Sequence, residues 1–302
     1  MSLRSVLPLA ALLAVNLACA PTDIAVPDTT EVPVGPVVVD ADANENLHAV
    51  LWTQTATEYR ALALQTYAAA RDALDDALAD ASWTAMPEQL ELEGYAELPP
   101  AVVLDVDETV LDNAAYQARL IEDDAVYDRE SWSAWVAEEA APAVPGALAF
   151  TRAADSLGIA VIYLTNRRGP GEAATRNNLA ALGFPLDESF DAVLTRGDLT
   201  RTGEPEFDTG EKGPRREYVA ERFRVLQLLG DNLGDFLSDV ETTVEARTDL
   251  AAPYAGWWGQ RWFMLPNPQY GSWEGALFDN DYRLSREEKL DRKMRRLRFG
   301  GN

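Results

Sequence analysis

The 302-residue chain is long enough for one large domain or two small ones, and 47% of its residues are apolar, as in globular proteins. Its 50 acidic and 26 basic residues give a net charge of −24, which disfavours binding to polyanionic nucleic acid. His48 and Cys19 are the only histidine and cysteine. Zinc sites of His and Cys ligands, a Cys–His catalytic pair and an intrachain disulfide are therefore excluded. The remaining hard ligands are carboxylate and carbonyl oxygens, which suit Mg²⁺.

The first 43 residues have the composition of an export signal followed by a tether. Residues 1–18 contain a short positive region and an apolar run too short to span a membrane, which predicts a signal peptide. The small residue Ala18 precedes Cys19, as in a bacterial lipoprotein processing site. We therefore predict a lipid anchor on Cys19, with an ordinary signal cleavage as the alternative. Residues 19–43 are rich in Pro, Val, Thr and Asp without periodicity, which predicts an extended tether.

Residues 44–97 and 114–144 are expected to form a cap, and residues 280–302 a tail. In residues 44–97, apolar side chains at helical spacing from Asn44 to Ala81 predict one long helix, with a single break left open. Residues 114–144 are acidic, aromatic and irregular, and we expect them to cover the site. Residues 280–302 are charged with a helical pattern, which predicts a solvated helix at the surface.

The tripeptide Leu98-Pro99-Pro100 indicates a boundary. From there to a polar turn near residue 232, apolar runs alternate with helical patterns. The predicted strands are Val102–Leu104, Ile159–Leu164, Phe190–Leu194 and Val225–Leu229, and the predicted helices are Ala147–Leu157, Glu172–Leu182 and Arg215–Phe223. Apolar strands alternating with helices are typical of a parallel sheet covered on both faces. The sequence therefore predicts an α/β fold in which helices cover both faces of a parallel sheet.

Two aspartates, Asp105 and Asp107, end the first apolar run abruptly. In open parallel sheets, ligands bind at the carboxyl ends of the strands. Two carboxylates there suit two-step phosphoryl transfer. The first attacks phosphorus and becomes an aspartyl-phosphate, while the second protonates the leaving oxygen and then deprotonates water. The alternative is a strand that ends in a solvated acidic turn.

Polar residues also follow the other predicted strands. Thr165 follows the second, Lys212 lies in the loop after the third, and Asp231 and Asp235 follow the fourth. This order resembles the haloacid dehalogenase superfamily. The resemblance implies a Rossmann-like parallel sheet covered by helices, in a domain of residues 44–279. Within that superfamily, Asp107 favours a phosphatase, because the dehalogenases themselves lack this second acid.

Two longer stretches point to one family within this superfamily. Val103 to Tyr116 is similar to the first signature of the bacterial class C acid phosphatases, and Leu229 to Phe236 is similar to the second. The similarity extends over residues 44–278. These proteins include outer-membrane lipoproteins that act as acid phosphatases and 5'-nucleotidases. The resemblance thus implies an exported, magnesium-dependent phosphomonoesterase, located at the outer membrane or in the periplasm.

The resemblance also implies roles for the acidic residues. Asp105 is expected to be the nucleophile and a magnesium ligand. Asp107 is expected to act as general acid and base, with its backbone carbonyl on the metal. Asp231 would be a further metal ligand. Asp235 would either complete the outer shell of the metal or hold Lys212, and both alternatives stay open at this point.

Phosphate contacts are expected from residues at the ends of the second and third strands. The hydroxyl of Thr165 and the backbone N–H groups of its neighbours Asn166 and Arg167 would donate to the transferring phosphoryl group. Lys212 would neutralise phosphate charge and the charge that develops during transfer. We expect Arg215 to lie at the surface or in a salt bridge.

Substrate preference must come from the covering segments. The resemblance implies that aromatic rings there clamp the base of a 5'-nucleotide, and we expect this of Trp132, Trp135 and Tyr270. The alternative is that the tryptophans pack the covering segment onto the sheet.

Two other functions remain open: a phosphotransferase that uses the same intermediate, and a surface lipoprotein that binds a nucleotide or haem. The expected partners are a small phosphomonoester and, through Cys19, a membrane, with a homodimer left open.

Overall fold

The computed structural model describes residues 44–197 and 209–300. The predicted signal peptide, Cys19 and the tether lie outside the described residues. The same holds for much of the polar loop that precedes Lys212.

Five parallel strands form one sheet in the order β3-β2-β1-β4-β5. Their bounds are β1 Pro100–Leu104, β2 Ala160–Arg168, β3 Val193–Arg196, β4 Arg224–Gly230 and β5 Trp262–Met264. The central strand β1 is buried at every residue after Pro100, as expected when helices cover both faces of a parallel sheet. The predicted α/β fold class is confirmed.

The strands differ from the prediction most in β2, β3 and β5, and the other bounds shift by one or two residues. β2 continues through Arg168, whose backbone pairs with Arg196 of β3. β3 begins three residues later than predicted, because Phe190 packs its ring against Phe223, with the centroids 5.1 Å apart, rather than joining the ladder. β5 was not predicted, because its three residues are too few for a strand period to show in the sequence.

Helices surround the sheet. Their bounds are α1 Leu47–Thr55, α2 Thr57–Asp72, α3 Leu74–Ala79, α4 Ala114–Glu122, α5 Arg129–Ala137, α6 Ala147–Ser156, α7 Glu172–Leu182, α8 Gly213–Ala220, α9 Val244–Ala251, α10 Ser272–Gly275 and α11 Arg286–Arg295.

The long N-terminal helix predicted for residues 44–81 is interrupted twice, at Ala56 and Ala73. Ala56 is extended, with ψ 128°, and its N–H bonds to the carbonyl of Trp52 at 3.0 Å, which closes α1. An alanine leaves no signal for such a break in the sequence, because it is the strongest helix former.

The segment of residues 114–144 is more regular than predicted, because it contains α4 and α5. The Asp128 carboxylate caps α5 by accepting from the backbone N–H groups of Glu130 and Ser131. This capping satisfies donors that a helix start otherwise leaves unpaired. The cap segment is therefore a pair of helices joined by a short loop.

Apolar cores lie on both faces of the sheet, and β1 contributes to each. Val102 and Leu104 pack into the core with Tyr67 and Phe150. Ala101 and Val103 pack into the other core, which contains Trp262. This alternation follows from the two-residue period of a strand.

The charged tail forms α11, which begins with a capping box between Ser285 and Glu288 and has no buried residue. Across residues 44–197 and 209–300, we find no helix with the length and apolar character needed to cross a membrane.

Candidate active site

Three strand ends meet at one edge of the sheet because β1 lies between β2 and β4. Asp105 directly follows β1, and its N–H bonds to the carbonyl of Leu229 in β4 at 2.9 Å. Thr165 lies within β2, and Asp231 directly follows β4. The residues predicted at the ends of these strands are therefore brought together.

Lys212 lies between two carboxylates of this cluster. Its ammonium donates to Oδ1 of Asp105 and, at 2.7 Å, to Oδ1 of Asp235. The lysine is 5% exposed at the start of α8. Burial alone would lower the pKa of Lys212, but the two carboxylates outweigh it and raise the pKa. Lys212 therefore stays charged and leaves the second oxygen of Asp105 without a partner among the described residues.

The three acids Asp105, Asp231 and Asp235 present oxygen atoms within 4.8 Å of one another. Burial raises the pKa of Asp231 well above its ordinary value, and the neighbouring carboxylates of Asp235 and Asp105 raise it further. Burial also raises the pKa of Asp105 to about 7, although Lys212 opposes the shift. Mutually repelling, buried carboxylate oxygens are the donor set that a hard divalent cation stabilises. The residues present thus fit a metal ion.

Asp235 holds Lys212, which is one of the two alternatives left open from the sequence, and its carboxylate also belongs to the acidic cluster. Its second oxygen accepts from the N–H of Asn232 at 2.9 Å. Asp231 is fixed by the Asn267 amide, which donates to its Oδ2 at 2.8 Å, and by the hydroxyl of Thr109 at 3.3 Å from Oδ1.

Asp107 is held through one of its two oxygens. Its Oδ1 accepts from the Arg167 guanidinium, with Nε at 2.9 Å and the terminal nitrogen at 2.8 Å, and from the Asn113 amide at 2.9 Å. Arg167 is 2% exposed. The resemblance implied that the backbone N–H of Arg167 binds substrate. In the structure that N–H donates to the Thr165 hydroxyl, and the guanidinium contacts Asp107. The other oxygen of Asp107 accepts none of these hydrogen bonds and is available for proton transfer.

Asn113 and Glu108 were not singled out from the sequence, although both belong to the turn that carries Asp107. Asn113 is fully buried; its amide oxygen accepts from Arg167 and from the indole of Trp135. Glu108 adopts a left-handed backbone conformation with φ 59° and accepts from the N–H of Asn113 at 2.8 Å. A buried glutamate in this conformation marks a strained turn, which a prediction from apolar runs cannot detect.

Thr165 is fully buried, and its hydroxyl accepts from the N–H of Arg167 at 3.0 Å. Arg215 was expected at the surface or in a salt bridge, and the first of these alternatives is wrong, because its side chain is fully buried. Arg215 donates to the carbonyl of Thr165 at 2.5 Å and to the side chain of Asn166 at 2.6 Å. It thus holds the strand end in place, and Asn166 itself is exposed.

The three predicted clamp residues occupy different environments. Trp132 is partly buried beside the Arg167 guanidinium, 5.6 Å from the ring centroid. Trp135 is 4% exposed and donates to Asn113 at 2.8 Å, so the structure favours the packing alternative for this ring. Tyr270 is partly buried and lies three residues after Asn267, on the β5 side of the site.

The chain matches a sequence profile described as "HAD superfamily, subfamily IIIB (Acid phosphatase)" over residues 9–273. It is 29% identical to acid phosphatase 1 of Solanum lycopersicum over 171 residues, which are 56% of this chain and 57% of that protein. It is 25% identical to the stem 31 kDa glycoprotein of Glycine max over 168 residues, 56% of this chain and 58% of that protein. The matched part is thus less than two thirds of the length of these plant proteins.

Solved structures resemble the chain over more of its length. The class C acid phosphatase from Bacillus anthracis has a TM-score of 0.72 and 31% identity, covering 86% of this chain and 99% of that chain. The crystal structure of the Bacillus anthracis enzyme with tungstate bound gives a TM-score of 0.72 and 32% identity, with coverages of 85% and 98%. The resemblance inferred from the two signatures is confirmed, and the chain belongs to the acid phosphatases of subfamily IIIB in the haloacid dehalogenase superfamily.

Proposed function

We propose that this chain is a magnesium-dependent phosphomonoesterase that hydrolyses nucleoside 5'-monophosphates through an aspartyl-phosphate. The observation that carries the proposal is the cluster of Asp105, Lys212 and Asp231, in which a buried ammonium and a set of carboxylates surround one aspartate. A protein that only binds its ligand has no need of an acid and base beside that aspartate. This chain has such a group in Asp107, which accepts hydrogen bonds from Arg167 and Asn113.

In the first step, the free oxygen of Asp105 attacks phosphorus and the bond between phosphorus and the ester oxygen breaks. Asp107 gives its proton to the departing oxygen, so an alcohol leaves and Asp105 carries the phosphoryl group. In the second step, Asp107 takes a proton from water, the water oxygen attacks phosphorus, and the bond to Asp105 breaks. Inorganic phosphate leaves, and both aspartates return to their starting states.

The donors around the acids stabilise this transfer. Lys212 is positioned to neutralise charge on the phosphoryl oxygens, and the hydroxyl of Thr165 and the backbone N–H of Asn166 lie at the same strand edge. A Mg²⁺ ion bound by Asp105, Asp231 and the carbonyl of Asp107 would neutralise the repulsion between the carboxylates and the phosphate.

Substrate preference is proposed to come from two rings. Trp132 lies beside Arg167 at the β2 side, and Tyr270 lies beyond β5 at the other side of the edge. Stacking a base on an aromatic ring is worth about 1 to 3 kcal/mol and tolerates any base. We therefore expect nucleoside 5'-monophosphates to exceed simple sugar phosphates in kcat/KM.

The proposal is tested with one variant and two substrates. Tyr270→Ala should lower kcat/KM for a nucleoside 5'-monophosphate by about tenfold, because one stacking partner is lost. The same variant should leave the hydrolysis of a small aliphatic phosphate unchanged. Equal losses on both substrates would assign Tyr270 to packing, and a wild type without nucleotide preference would contradict the proposed specificity.

We also propose export and anchoring through Cys19, on the strength of the signal-like residues 1–18. Wild-type protein should then partition into detergent, and Cys19→Ser should move it to the soluble fraction. Recovery of the exported wild type in the soluble fraction alone would contradict the anchor.

A further inference from the structure

Lys293 in α11 joins two carboxylates from distant parts of the chain. Its ammonium donates to Oε1 of Glu274 at 2.6 Å and to Oε2 of Glu45 at 3.0 Å. The Lys293 side chain is only 21% exposed, and those of Glu45 and Glu274 are about one third exposed. Most other basic residues of α11 are paired at the open surface, so this three-residue contact is the best enclosed of the helix.

One of these carboxylates belongs to the turn that carries Tyr270. Glu274 lies in α10, and its N–H bonds to the carbonyl of Gly271 at 3.1 Å. The indole of Trp273 donates to the carbonyl of Tyr270 at 3.2 Å. Lys293 therefore fixes the far end of a short, internally bonded turn that begins at the proposed base-stacking residue.

The other carboxylate leads to the opposite ring of the proposed clamp. Glu45 stands just before α1, and the next residue, Asn46, donates to Gln117 of α4 at 3.3 Å. Also in α4, Tyr116 packs edge to face on Trp132, with the ring centroids 5.0 Å apart. A continuous series of contacts thus runs from Glu45 to Trp132.

We propose that Lys293 is a positioning residue that ties the two aromatic walls of the substrate site together and so sets the affinity for substrates with an aromatic base. This inference rests on the proposed function, because it takes Trp132 and Tyr270 as the rings that hold the base. Lys293 contacts none of the acids that carry phosphoryl transfer, so the chemical step is independent of it. A weaker link, from Arg286 to Asp124 at 3.4 Å, runs in the same direction.

The test compares Lys293→Gln with a matched control, Arg295→Gln. Both variants remove one positive charge from α11, but Arg295 is 75% exposed, and its one ion pair among the described residues is with Asp291, one turn earlier in the same helix. Lys293→Gln should raise KM for a nucleoside 5'-monophosphate about fivefold, the upper range for an ion pair at a surface. Its kcat, and both constants for a small aliphatic phosphate, should stay at wild-type values. Arg295→Gln should match the wild type on both substrates.

Two further variants separate positioning from simple destabilisation. Lys293→Arg keeps a charge that can reach both carboxylates and should restore most of the affinity. Glu45→Ala breaks only the link to α1 and leaves the bond to Glu274, and it should raise the nucleotide KM in the same direction. Thermal unfolding of each variant establishes that the comparison is made on folded protein.

The outcomes distinguish this inference from the proposed function. If Tyr270→Ala lacks a nucleotide-specific effect, the proposed clamp itself fails. If Tyr270→Ala has that effect but Lys293→Gln behaves like Arg295→Gln, the positioning role is overturned while the clamp stands. Equal changes of KM on both substrates in Lys293→Gln would also overturn it, because they would show a general loss of charge attraction.

Discussion

At the scale of single residues, the sequence predicted which charged side chains lie together at the sheet edge. The apolar run that ends in Asp105 and Asp107 placed these two acids, and the resemblance to the acid phosphatase signatures added Lys212, which the structure brings beside Asp105. The side chains that hold them were not predictable. Asn113 and Arg167 reach Asp107 through contacts that depend on a tight turn and on the register of β1 against β2.

We predict that these two holding residues act on the rate and not on binding. Asn113→Ala removes the amide that donates to Oδ1 of Asp107, and Arg167→Gln removes the guanidinium that donates to the same oxygen. In each variant the carboxyl group loses its fixed orientation. We expect kcat to fall by about tenfold or more in each variant with KM nearly unchanged, because misplaced acid–base groups lose rate. Steady-state kinetics on a small aliphatic phosphate provide the measurement. A rise in KM with kcat preserved would instead assign the Arg167 side chain to substrate binding.

At the scale of elements, long apolar strands and capped helices were predicted well, and short or aromatic elements were not. α7 has the predicted bounds, from Glu172 to Leu182, because a glycine in a left-handed conformation ends it. β5 and the break at Ala56 leave no pattern in the sequence. β5 matters for the site, since the segment after it contains Asn267, whose amide donates to Asp231.

The turn after β4 depends on a residue without a side chain. A Cβ atom at Gly230 would lie 2.2 Å from Oδ2 of Asp235, so this carboxylate could not keep its place beside Lys212. Gly230→Ala should therefore destabilise the protein by about 1 to 3 kcal/mol, as overpacking does, and should lower activity. Gly256→Ala is the control, because nothing lies within 4 Å of a Cβ there. Denaturant unfolding of both variants compares them, and equal stabilities would show that the turn has room to adjust.

At the scale of the whole molecule, an acidic surface surrounds an acidic, buried metal site. The net charge of −24 argued against nucleic acid as a partner. It did not reveal that three carboxylates lie in one cluster with little exposure to solvent, because burial is not visible in composition. The cluster links the stability of the protein to pH and to metal.

We predict that the metal-free protein loses stability as pH rises from about 4 to 8. Burial raises the pKa of Asp105 to about 7 and that of Asp231 well above its ordinary value. The folded state therefore binds more protons than the unfolded state across this range. The contribution is fully present below the ordinary pKa of an aspartate and is lost as pH rises through the raised value. Thermal unfolding after chelation should show a higher Tm at pH 5 than at pH 8.

Two controls accompany this measurement. Saturating Mg²⁺ should reduce the difference, because the ion replaces protons as the partner of the carboxylates. Asp231→Asn should make the dependence shallower in metal-free protein. A Tm that rises with pH after chelation would show that the carboxylates are stabilised in their charged form without metal.

The claim that Asp105 carries the phosphoryl group is tested most directly by trapping the intermediate. Asp107→Asn should slow turnover by about 10² to 10⁴, and an aryl phosphate with a good leaving group should still phosphorylate it, because that step then needs little acid assistance. Acid quenching, borohydride reduction and peptide mass spectrometry should find homoserine in place of Asp105, and Asp105→Asn should give none. Turnover without any reduced residue, or reduction at another carboxylate, would contradict the account.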